Sequence, residues 1–86
     1  MRIEVVRSGG LAGIRRHAAL DTTGRPDAGH LHALAEAALA PGLPHAVNPD
    51  TFGYDITVDS RTVHCRDPHL SDAQRELIRL VLDEGA

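Results

Sequence analysis

The chain has 86 residues, 42% of them hydrophobic, with nine basic against twelve acidic side chains, a formal charge of −3 and a pI near 6.0. That length implies a single domain over residues 1–86 with a modest core, because so short a chain buries only about 60–65% of the surface its unfolded form exposes. A mildly acidic chain with Phe52 and Tyr54 as its only aromatic residues lacks the basic stripe and stacking platform of a nucleic-acid binder, and no stretch is long and apolar enough to span a bilayer, so neither nucleic acid nor membrane is an expected partner.

Residues 2–7 read as a strand in which Ile3 and Val5 alternate with Arg2 and Glu4, with Val6 fitting less cleanly. A turn follows, Arg7-Ser8-Gly9-Gly10-Leu11-Ala12-Gly13-Ile14, whose three glycines permit positive φ angles. Residues 13–21 are the return strand, with Ile14, Ala18 and Leu20 on one face and Arg15, His17, Ala19 and Asp21 on the other. Arg16 falls on the apolar side and is expected to snorkel out near an edge. Asp27 is a candidate N-cap. Leu31, Leu34, Ala35, Ala38 and Leu39 then follow helical spacing until Pro41 and Gly42.

Residues 41–50 carry three prolines and read as a semi-rigid loop. Phe52, Tyr54, Ile56 and Val58 alternate with Gly53, Asp55, Thr57 and Asp59, the cleanest strand pattern in the chain. Asp59-Ser60 turns the chain into residues 61–67, where Val63 and Cys65 face inward. After Pro68, Ser71 and Gln74 form a capping-box pattern at the start of a last helix, with Ala73, Leu77, Ile78, Leu80 and Val81 as its buried stripe. The order ββαββα predicts an α+β fold, a four-stranded mainly antiparallel sheet with both helices on one face. That topology brings the first hairpin tip, the 41–50 loop and the 67–70 turn to one end. Leu11, Leu43, Val47 and Leu70, beside His69, would there form an apolar partner surface.

Catalytic and metal-binding readings find little support. The six histidines show no ligand spacing. His30 and His32, two apart, would point to different faces of a helix, and the single Cys65 has no zinc-spaced partner. Surface or packing histidines are therefore expected, with no metal and no cofactor. The glycines lead into a strand rather than a helix and lack a following Gly-Lys-Ser/Thr, so the phosphate-loop signal is weak. Cys65 lies mid-strand, and the neighbouring His64 points to the opposite face. No catalytic set assembles, and the chain is expected to be a non-enzyme. One cysteine allows no intrachain disulfide, and Met1-Arg2-Ile3-Glu4 is not a signal peptide, so a reducing, cytoplasmic setting is expected. Arg2, Arg7, Arg15 and Arg16 read either as a solvated strand face or as a positive rim that steers an acidic partner. Locally, the glycine turn is either an ordinary connector with Leu11 folded onto the core or a recognition loop with Leu11 projecting.

The opening, from Met1-Arg2-Ile3-Glu4-Val5-Val6 through Arg-Ser-Gly-Gly, a bulky apolar residue and Ala-Gly to Ile14, resembles the start of the emfourin family, protein inhibitors of thermolysin-like, protealysin-type metalloproteases. The order of elements agrees over most of the chain, but only this first motif is specific. Where many members of the family carry Phe, this chain has Leu11, which keeps the hydrophobic character without the ring. The resemblance implies an inhibitor that occupies the active-site cleft of a zinc protease, with the zinc supplied by the partner and the free inhibitor a monomer. It implies a protease-binding set of Arg7, Ser8, Gly9, Gly10, Leu11, Ala12 and Gly13, with Leu43 and Val47 of the second loop against the cleft rim. The competing expectation is a small α/β module that binds another protein or a small ligand.

Overall fold

The computed structural model describes residues 1–9, 15–40, 52–67 and 69–86. Its elements run β1 (Arg2–Gly9), β2 (Arg16–Asp21), α1 (Ala28–Ala38), β3 (Phe52–Val58), β4 (Arg61–Arg66) and α2 (Asp72–Glu84). The ββαββα order and the α+β class expected from the sequence are present. The four strands form one antiparallel sheet in the order β2-β1-β3-β4. β1 is therefore a central strand, paired to β2 on one side and to β3 on the other.

Alternation decides which side of the sheet is covered. Ile3, Val5, Ala18, Leu20, Tyr54, Ile56, Val58 and Cys65 are buried on one face, in a single cluster with Leu31, Leu34, Ala35 and Ala38 of α1 and Leu77, Ile78, Val81 and Leu82 of α2. One sheet face and both helices share that core, so both helices lie on the same face. The opposite face presents polar pairs: Glu4 with His17, Asp55 with His64, and the hydroxyls of Thr57 and Thr62 at 3.0 Å. The two hairpins are tied together at the end away from the first loop. Arg2 N–H donates to the Asp59 carboxylate at 3.0 Å and Asp59 N–H donates to Arg2 carbonyl at 2.9 Å, with Asp59 held at a φ of 55°.

Two helix starts differ in kind. Ser71 and Gln74 form the full capping box read from the sequence: Gln74 N–H donates to Ser71 Oγ at 3.1 Å and Ser71 N–H donates to Gln74 Oε1 at 3.0 Å. Asp27 occupies the N-cap position of α1, but its carboxylate accepts two bonds from Arg25 at 2.8 and 3.0 Å and caps no backbone N–H. The buried stripe of α2 also differs from the expected one. Gln74, Leu77, Ile78, Val81 and Leu82 are buried, while Ala73 and Leu80 are only partly so.

β2 is an edge strand, and the last residues cover part of its open side. Ala19 and Ala86 exchange both backbone hydrogen bonds, at 3.2 and 3.1 Å. The approach is close enough that a Cβ at Gly85 would lie 2.8 Å from Ala19 carbonyl oxygen and 2.5 Å from that of Val81, so only glycine fits.

Candidate functional site

The end of the sheet that carries Gly9, Arg16, Phe52 and Arg66 is the end where the sequence places the recognition loop. Of the expected protease-binding residues, Arg7, Ser8 and Gly9 are described. Gly10, Leu11, Ala12, Gly13, Leu43 and Val47 lie outside the described residues, as do Ile14, the whole 41–50 loop and Pro68.

The two ladders on β1 stop at different heights. Pairing with β2 ends at Arg7↔Arg16, whereas pairing with β3 runs two residues further, through Ser8↔Gly53 to Gly9↔Phe52. The chain thus enters the glycine turn from a backbone that β3 still holds. Gly9 has a φ of 93°, a conformation that L side chains resist, and so bends the strand out of its regular path at its last residue.

Side chains fix this end from both faces. On the helix side, the Arg7 guanidinium lies 4.5 Å from the centroid of the Phe52 ring, a cation–π contact between diagonal cross-strand neighbours. On the other side, Gly53 leaves room for Arg66, whose Nη2 would be 3.2 Å from a Cβ at that position, with Ser8 Oγ beyond. Asp67 N–H donates to Phe52 carbonyl at 3.0 Å, and Tyr54 Oη donates to Asp67 Oδ2 at 3.1 Å. Burial, then the Asp67 carboxylate beside it, pushes the Tyr54 phenol up to about 12, so it stays protonated and donates at neutral pH.

Two expectations for this end are corrected. Leu70 is 8% exposed and belongs to the core, so it is not part of an apolar partner surface. Its side chain joins the apolar cluster that one sheet face shares with both helices. The four N-terminal arginines do not form one rim. Arg2 sits at the far end of β1, opposite Asp21 and beside Glu4, while Arg7 and Arg16 face each other on the helix side. Arg16 does reach outward as expected, and its Nη2 donates to Leu82 carbonyl at 2.6 Å near the end of α2.

Burial pushes the Cys65 thiol up to about 11, which suppresses the thiolate. Among the described residues no three His, Cys, Asp or Glu side chains gather as a metal site requires. The Arg7–Phe52 stack and the Arg66 cover over Gly53 were not read from the sequence. The usable signal was parity, since Arg7 and Phe52 both fall on the inward-facing register of their strands.

The described residues form a two-layer α+β domain, with β1 held by β3 as far as Gly9. The family model for emfourin matches residues 5–82, and the chain belongs to that family. The match points to metalloprotease inhibition rather than to an enzyme. No curated protein and no solved structure matches the chain.

Proposed function

We propose that the protein inhibits thermolysin-like zinc metalloproteases by laying residues 8–13 in the active-site cleft, with Leu11 filling the apolar pocket that receives the residue after the scissile bond. The observation that carries this reading is the emfourin match over residues 5–82. The support given to β1 up to Gly9 agrees with it: a loop that leaves a strand still paired to β3 loses less conformational freedom on binding, which lowers the ordering cost of association. Gly9, Gly10 and Gly13 let the backbone lie close to the cleft wall. Leu43 and Val47 contact the rim, the partner supplies the zinc, and no residue of this chain is assigned to ligate it. The free protein is a monomer that acts where its Cys65 stays reduced, in the cytoplasm. No helix among the described residues is long and apolar enough to cross a membrane.

The direct test is Leu11→Ala. Truncating an anchor residue of an interface costs about 1–3 kcal/mol, so the inhibition constant against a thermolysin-like protease should rise by roughly 5- to 150-fold with an unchanged circular dichroism spectrum. An inhibition constant equal to that of the parent protein would place the contact elsewhere.

A further inference from the structure

On the helix side of the sheet, a cleft of about 330 Å³ opens between α2 and the ends of β1 and β2. Four arginines from three elements line it: Arg7, Arg16, Arg75 and Arg79. Such a concentration is costly without an anion. Arg7 and Arg16 are direct cross-strand partners on the same face, an arrangement in which like charges destabilise a sheet. Arg75 and Arg79 are one turn apart on α2, where like charges repel in the same way.

The acids within the cleft do not resolve this. Asp67 is already engaged by Tyr54 Oη, and Asp83 is exposed on the last turn of α2. Four arginines against Asp67 and Asp83 leave a formal excess of two positive charges. Among the described residues Arg75 reaches Asp72 alone, at 3.4 Å and in solvent, and Arg79 pairs with none. Among the described residues the Arg7 Nε is buried and has no hydrogen-bond partner, an unsatisfied donor on the guanidinium that lines the cleft. Leu70 and Ile78 supply an apolar wall, which strengthens electrostatic attraction inside the cleft.

We propose that this cleft is a binding site for a doubly charged oxyanion, a phosphate or phosphate monoester. The formal excess of two matches the charge of about −1.5 to −2 that a phosphate monoester carries at neutral pH. Guanidinium forks match phosphate oxygens in pairs. The proposal goes beyond protease inhibition and is measured on the free inhibitor, so either reading can fail without the other.

The experiment titrates the isotope-labelled protein with inorganic phosphate, with phosphoserine and with acetate at constant ionic strength, following backbone amide shifts. Phosphate or phosphoserine should give saturable shifts confined to the ends of β1, β2 and α2, and the tighter of the two identifies a free ion or a monoester as the source. Arg79→Gln, on an exposed helix face, should weaken that binding about tenfold without loss of fold, and Arg7→Met should do the same. Arg61→Gln, at the opposite end of the sheet, should leave it unchanged. No saturation with either phosphate, acetate binding as tight as phosphate, or an Arg79→Gln protein that binds phosphate as well as the parent would each overturn the proposal.

Discussion

Gly9 is the last residue of β1 before the glycine-rich segment, and its φ of 93° makes it specific to glycine. Gly9→Ala should cost about 1–2 kcal/mol of folding stability, the penalty of a side chain in a positive-φ conformation. Urea unfolding measures this, and an unchanged midpoint would show that the strand end relaxes freely. Cys65 makes a second residue-scale case. Its folded thiol is raised from 9.0 to about 11 by burial, whereas the unfolded chain ionises near the ordinary value. The unfolded state therefore releases a proton first as pH rises. The contribution of this group to stability is complete below about pH 9 and is lost between 9 and 11. The thiol should react slowly with a disulfide reagent at pH 8 in buffer and rapidly in denaturant. Equal rates in both would contradict a buried thiol. That Cys65 faces inward was legible from strand alternation. The pairing of Arg7 with Phe52 was not, because it depends on a register between strands 45 residues apart in sequence.

Among the elements, α2 is the most strongly specified by its own sequence. The Ser71–Gln74 capping box reads directly from four residues, and the structure forms it. Gln74 has a second role that no local pattern announces. Its side chain is fully buried, and Nε2 donates to Ala38 carbonyl at 3.1 Å and to Ala40 carbonyl at 3.4 Å, closing the end of α1 against the start of α2. One side chain thus satisfies backbone groups on two helices, one at its start and the other at its end. Ser71→Ala should cost about 1 kcal/mol, as for other N-cap losses. Gln74→Glu keeps the shape but turns a carboxylate oxygen toward two carbonyls, and should cost more, about 3 kcal/mol. Thermal unfolding of the two variants side by side checks the order, and a Gln74→Glu protein as stable as Ser71→Ala would show that the amide bonds contribute little. α1 was legible from its apolar spacing, but its capping was not. Asp27 has the right residue type at the right place, yet Arg25, two positions before it, takes the carboxylate.

For the molecule as a whole, alternation and helical spacing gave the number and order of the elements, because each pattern is local. Strand order was not available from either, since the choice of β1 as a central strand rests on packing between hairpins. The resulting sheet places one helix-covered face and one polar face back to back, and seats β1, the strand that leads into the glycine-rich segment, between β2 and β3. The motif from Arg7 to Ile14 was the most specific functional signal in the sequence. By contrast, the arginine cleft draws on β1, β2 and α2 together, so no single stretch could reveal it. The central claim is occupation of a protease active site, and a steady-state titration of a thermolysin-like protease with this protein, at several concentrations of a peptide substrate, tests it most directly. The account predicts complete inhibition at a stoichiometric excess, with an apparent inhibition constant that rises linearly with substrate. Full protease activity in the presence of excess protein, or partial inhibition indifferent to substrate, would contradict it.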